Sequence, residues 1–159
     1  MNDLKIQKEI LNNKNFLLSK ITSRNKKLFF NRVWSTPQSV YNKRLKKINF
    51  QNYENVLDFG AGFGQWMVQL SFLNKKVYVT EKDKEKLSVI KNIITLLKLD
   101  NVKIIKNFSK NNINFDAIFL YSVIYFTDWK KKLPELIVYL KKNGYLYINT
   151  NDLGWYLYN

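Results

Sequence analysis

The residues able to do chemistry concentrate in one string, Val56-Leu57-Asp58-Phe59-Gly60-Ala61-Gly62-Phe63-Gly64, and in the acid that follows at Glu81. Asn55–Phe59 reads as a short buried strand, the glycines come directly after it, and Gln65–Leu73 reads as a helix. A strand, a glycine turn and a helix N-terminus together make a site for a polar ligand. Glycine lets the backbone approach closely, and the first helical turn leaves N–H donors unspent. About twenty residues further on, Lys76–Thr80 reads as a second strand ending at Glu81, with Lys82 beside it. A carboxylate at the tip of a neighbouring parallel strand is placed to accept bonds from two ribose hydroxyls. Asp58 is expected to orient the glycine loop by hydrogen bonding.

Glycine spacing separates two cofactor classes that use this layout. The dinucleotide fingerprint G-x-G-x-x-G needs its third glycine for close helix–strand packing. Here the spacing is G-x-G-x-G and Gln65 occupies that third place, which weakens the case for a nicotinamide-dependent oxidoreductase. The string Asp58-x-Gly60-x-Gly62-x-Gly64 resembles motif I of the class I S-adenosylmethionine-dependent methyltransferases. The resemblance runs from about residue 51 to residue 150. It implies a Rossmann-like α/β fold with a mostly parallel sheet flanked by helices, S-adenosyl-L-methionine as cofactor, and methyl transfer to an acceptor. It also implies cofactor-binding positions. Asp58, Gly60, Ala61, Gly62 and Gly64 wrap the methionine part, Glu81 and Lys82 serve the ribose, Asn107 and Phe108 the adenine, and Tyr121 lies beyond strand four. Asn107 departs from the acid usual at its place, although an amide still bonds an adenine edge.

The remaining elements must hold these residues. Asp3–Ile21 carries a helix-compatible apolar face, Arg24-Asn25-Lys26-Lys27 reads as a polar link, and Leu28–Trp34 as an aromatic cluster. Thr36-Pro37 predicts a helix to about Lys47, with Thr36 as N-cap and Pro37 as first residue. In relatives such a segment covers the cofactor, a role open to Trp34, Tyr41 and Arg44, which also suit plain core packing. Asp83 predicts a cap for the helix Lys84–Lys98, with Leu87, Ile90, Ile94 and Leu97 at helical spacing. Strand three is expected at Val102–Ile105, strand four at Phe115–Leu120 and strand five at Tyr145–Asn149. A basic helix over Lys130–Lys142 burying Leu133, Leu136, Ile137 and Leu140 should end at Asn143-Gly144.

Two parts are expected: a basic helical segment, residues 1–50, and a cofactor-binding core, residues 51–159. A seven-stranded class I core continues past strand five. Here the expectation is a core lacking strands six and seven, with strand five left as an aromatic-rich edge open to self-association.

Absences narrow the chemistry. With no histidine and no cysteine, the chain has no imidazole base, thiol nucleophile, disulfide or His-ligated metal, and no metal site is expected. It has no apolar run of roughly 18 residues that would span a bilayer and no signal-peptide pattern, so a cytoplasmic location is expected. The net charge of +15 is uneven, with 12 Lys/Arg against 2 acids in residues 1–50 and 15 against 10 in the rest. That excess reads either as a solvated, compositional face or as a basic surface for an anionic substrate, RNA or membrane.

Methyl transfer from a sulfonium needs alignment more than a dedicated base. The catalytic candidates are Tyr121, Tyr125 and Asp128, and Glu81 is better spent on ribose. Many relatives carry Glu-His where this chain has Tyr125-Phe126, which removes a common base. The Asn/Asp-Pro-Pro-aromatic motif of amino-methylating nucleic-acid enzymes is replaced by Tyr121-Ser122-Val123-Ile124. A small-molecule acceptor methylated at oxygen, carbon or another nitrogen is therefore expected. The competing reading is a non-catalytic protein of the same fold that binds RNA or a protein through its basic N-terminal half.

Overall fold

β1 (Asn55–Phe59) is apolar on both faces apart from Asp58 and the half-buried Asn55 at its start, as suits a strand covered on both sides. It takes the centre of a parallel sheet. β2 (Lys76–Thr80) and β3 (Val102–Ile104) lie to one side, β4 (Phe115–Tyr121) and β5 (Leu140–Asn149) to the other, in the order β3-β2-β1-β4-β5. The computed structural model describes residues 2–106 and 113–150. Asn107 and Phe108 lie outside the described residues.

The chain moves outward from β1 to β3, then returns to the far side of β1 for β4. Such a reversal opens a crevice at the carboxyl ends of the two central strands. Register fixes its floor: Phe59 pairs with Thr80, so the glycine loop and Glu81 leave the sheet at the same height.

α5 (Gln65–Leu73) and α6 (Lys84–Leu97) follow β1 and β2 as predicted, and Asp83 caps α6 by accepting from the Glu85 and Lys86 amides at 2.9 and 3.1 Å. α6 buries Val89, Ile90, Ile93 and Leu97, which leaves Ile94 at the margin of the core and Leu87 facing the crevice.

Four helices precede the sheet: α1 (Asp3–Asn12), α2 (Lys14–Leu18), α3 (Arg24–Ser35) and α4 (Gln38–Lys47). Their apolar residues, including Ile6, Ile10, Phe30, Trp34 and Leu45, join Val56, Trp66 and Val89 in one buried cluster. α5 is consequently buried on nearly every side, because α4 covers the face the sheet does not. A chain of amides crosses that contact, Asn42 Nδ2 donating to Gln69 Oε1 at 3.1 Å and Gln69 Nε2 to Gln38 Oε1 at 3.2 Å.

Three boundaries differ from expectation. Arg24-Asn25-Lys26-Lys27 is the first turn of α3 rather than a link, since Ser23 caps it and long cationic side chains are good helix formers with heads left in water. Thr36 ends α3 instead of opening α4. Its hydroxyl donates back to the Arg32 carbonyl at 3.1 Å, Pro37 takes the N-cap place, and the Gln38 amide finds its acceptor in Gln7 of α1 at 3.0 Å.

The third difference is larger. α7 (Trp129–Ile137) ends several residues early, and Leu140, expected in the helix, pairs with Phe115 as the start of β5. The register then jumps from Phe115–Leu140 to Ala117–Tyr145, so residues 141–144 bulge out, with Asn143 at φ +64° and Lys141 held on Asp116 at 2.7 Å. Of the four expected buried residues only Leu136 is fully buried, and Ile137 is exposed. Among the described residues β5 is a sheet edge. Tyr145 and Tyr147 lean inward on Phe50, with Tyr147 stacked on Phe119 at 5.1 Å.

Candidate functional site

Each loop glycine has a reason in the backbone. Gly60, Gly62 and Gly64 sit at φ +75°, +62° and +82°, a region strained for residues with a Cβ. Gly60 is also tightly enclosed, since a Cβ there would lie 2.3 Å from Val123 Cγ2. The loop is anchored from β2. The amides of Gly60 and Ala61 both donate to the Thr80 carbonyl at 3.0 Å, and the Gly62 amide donates to Glu81 Oε2 at 2.9 Å. Glu81 Oε1 accepts from the amides of Lys82 and Asp83 at 2.8 and 2.9 Å. These bonds set the carboxylate at the lip of the loop with acceptor capacity left on Oε2.

Asp58 does not orient the loop as expected; Thr80 and Glu81 do. The Asp58 carboxyl is buried beneath it, and its Oδ2 has no hydrogen-bond partner. Burial, with the Glu81 charge second, pushes its pKa up to about 8, so the group is protonated at neutral pH. Gln65 Oε1, at the start of α5, is also buried without a partner. Two buried polar oxygens under a glycine loop therefore have no hydrogen-bond partner, an uncommon condition for buried polar atoms.

Above the loop opens a cleft of about 2490 Å³. α3 and α4 form one wall through Phe29, Arg32, Tyr41 and Arg44; the opposite wall is the segment after β4, including Val123, Tyr125 and Phe126. Tyr41, Trp66 and Tyr121 make an aromatic floor, with Tyr41–Trp66 centroids 4.8 Å apart and Trp66–Tyr121 4.5 Å apart. The Tyr41 hydroxyl donates to the Val33 carbonyl at 2.9 Å, and Arg44 Nη1 donates to the Tyr121 hydroxyl at 3.5 Å. At the tip of β4 the backbone turns through Ser122 at φ +52°, held by its amide on the Asn149 carbonyl at 3.1 Å. A non-glycine residue in that region is strained, and this one sits where the cleft is shaped.

The structure brings Asp58, Gly60, Ala61, Gly62, Glu81, Lys82, Tyr121 and Tyr125 to this cleft. Gly64 lies just behind the loop as the left-handed N-cap of α5. Asp128 precedes α7, is exposed and does not line the cleft. Of the three candidate cover residues, Tyr41 and Arg44 line it, whereas Trp34 is buried in the core. Phe29, Arg32, Gln65, Thr80 and Val123 escape the sequence reading. Gln65 was visible there only as a missing glycine. Thr80 holds the loop mainly through its carbonyl, which leaves no signature in residue type, with its hydroxyl accepting from the Gly60 amide at 3.2 Å.

No protein-family model matches this sequence, and no curated protein matches it. Solved structures do. Precorrin-6y C5,15-methyltransferase from Geobacter metallireducens superposes with a TM-score of 0.63 at 19% identity, over 77% of this chain and 68% of that one. A precorrin-8w decarboxylase of Methanobacterium thermoautotrophicum gives 0.61 at 16%, over 77% and 68%. Coclaurine N-methyltransferase, solved with N-methylheliamine and S-adenosylhomocysteine, gives 0.56 at 16%, over 68% of this chain and 33% of its own length. Identities this low speak for backbone architecture, and a neighbour named as a decarboxylase shows that architecture alone does not name a reaction. The reversal of strand order at β1, the glycine loop that follows it and these superpositions together give the chain the fold of the class I methyltransferases.

Proposed function

We propose that the chain is an S-adenosylmethionine-dependent methyltransferase that acts on a small molecule. The observation that carries the reading is the glycine loop itself. Glu81 is fixed at its lip by three backbone amides, and beneath it Asp58 Oδ2 and Gln65 Oε1 are buried without donors. A ligand with ribose hydroxyls at one end and an ammonium group at the other matches that pattern of free acceptors.

S-adenosylmethionine bound there would supply a methyl group on a sulfonium, with the leaving group already in place. The protein's own part is to position and to exclude water. Gly60, Ala61 and Gly62 allow close backbone approach, and Glu81 accepts from the ribose. Protonated Asp58 loses its proton to solvent when a cation settles above it. Tyr121 and Tyr125 stand at the carboxyl edge beside β4 and orient the acceptor, and the Tyr41–Trp66–Tyr121 floor keeps that end dry. With no histidine or cysteine in the chain, alignment rather than proton abstraction is the main contribution.

The test is calorimetric titration with S-adenosylhomocysteine, with NADH as control. Micromolar binding is expected for the native chain, weakened about tenfold or more, roughly 1.4 kcal/mol, in Glu81→Gln, with no NADH binding. A folded chain that binds neither ligand, or binds NADH better, would overturn the reading.

A further inference from the structure

We propose that the methyl acceptor is an anion, a carboxylate or phosphate ester with a planar apolar body, held by Arg32 and Arg44 on the helical wall of the cleft. This rests on the methyltransferase reading. β2 and β4 flank β1, so Glu81 and Tyr121 mark opposite ends of the cleft. A ligand with its ribose on Glu81 crosses the glycine loop and presents its reactive end toward Tyr121.

Two guanidinium groups line the helical wall of the cleft, one from each of two separate helices. Arg44 of α4 donates to the Tyr121 hydroxyl at 3.5 Å, and Arg32 of α3 lies over the Phe29 ring at 5.1 Å. Both act electrostatically on the Tyr41 phenol. Among the described residues neither has a carboxylate partner; the ion pairs there belong to Lys26, Lys75, Lys132 and Lys141. Of the three carboxyl groups that line the cleft among the described residues, none forms an ion pair with either arginine. Asp58 is buried and protonated, Glu81 is held by three amides, and Glu135 pairs with Lys132. Neither guanidinium is therefore neutralised by a carboxylate in contact with it.

Composition does not account for it. Arg24, Arg32 and Arg44 are the only arginines among 27 basic residues, and two of the three line this wall. Lysine satisfies a need for general solubility, whereas the planar fork of arginine matches carboxylate and phosphate oxygens in pairs and stacks on rings. The aromatic floor beside the forks supplies the surface for a planar body.

An oxyanion on these arginines could also be the cofactor's own carboxylate, and the experiment separates the two. The full chain saturated with S-adenosylhomocysteine is titrated with benzoate, phenyl phosphate and neutral benzyl alcohol. S-adenosylhomocysteine and 5′-methylthioadenosine, which lacks the carboxylate, are titrated separately. At least one anion is expected to bind about tenfold more tightly than the alcohol. Arg32→Gln and Arg44→Gln should each remove about tenfold of that affinity while changing S-adenosylhomocysteine binding less than about twofold, and Arg44→Lys should recover part of it. Equal binding of alcohol and anions would overturn the proposal. So would arginine variants that weaken S-adenosylhomocysteine about tenfold and spare methylthioadenosine, which would assign the pair to the cofactor. If S-adenosylhomocysteine does not bind at all, the methyltransferase reading falls. The same anion titrations on the ligand-free chain then decide the arginine site by the same criterion.

Discussion

Asp58 should make the free protein less stable as pH rises, the reverse of the usual carboxylate effect. Its folded pKa is raised to about 8 from an ordinary 3.8, chiefly by burial. Between those values the native state holds a proton that the unfolded chain has released, so each pH unit costs the native state about 1.4 kcal/mol. The contribution is fully present below the unfolded pKa and is lost as pH rises through the folded one. From about pH 5 to about pH 8 the loss amounts to roughly 3 to 4 kcal/mol, a large share of the 5–15 kcal/mol typical of a domain. The window is clean, because the chain has no histidine or cysteine and only the α-amino group ordinarily titrates there. Asp58→Asn keeps the shape of the protonated carboxyl and cannot ionise. Urea unfolding followed by tryptophan fluorescence at half-unit steps should show a falling stability for the native chain and a flat one for the variant. Parallel profiles, or a native stability that climbs across the window, would refute the assignment of a protonated Asp58 beneath the loop. Saturating S-adenosylmethionine should flatten the native profile, since a bound cation favours the carboxylate.

Two further predictions concern the frame of the site. Gly60→Ala combines a φ of +75° with a Cβ 2.3 Å from Val123 Cγ2, so it should cost roughly 1–3 kcal/mol and abolish cofactor binding. Val123→Ala in the same chain should recover part of the stability lost, measured by thermal melting, because it removes the clash but not the strained φ. Glu85 ties the N-terminal helices to α6 by accepting from the Thr22 amide at 2.8 Å and from Lys26 Nζ at 2.7 Å, and Lys26 with Thr22 lowers its pKa to about 2. A depressed carboxylate stabilises above its unfolded pKa and loses that contribution as pH falls through the folded one. The melting difference between the native chain and Glu85→Gln should therefore close between about pH 4.5 and about pH 2, and a constant difference would show that the charge is not what matters.

Where backbone chemistry is local, the sequence alone was sufficient. Three glycines at alternate positions after an apolar run, an acid at the end of the next strand and Asp83 before a helical pattern each act within a few residues of themselves. β1, α5, β2 and α6 accordingly fall at or within a residue of the expected places. Partners distant in the chain decided the rest. Leu140 is helix or strand according to whether Phe115 offers a pairing edge, and here it does. Arg24–Lys27 looks like a polar link until the face that α3 buries is known. Arg32 carries no motif, and only the folding of α3 and α4 over the loop brings it into the same cleft as Arg44 and Tyr121. The protonation of Asp58 belongs to the same class. Residue type offered a carboxylate, and burial beside Glu81, which exists only once the sheet has closed over it, turned it into an acid.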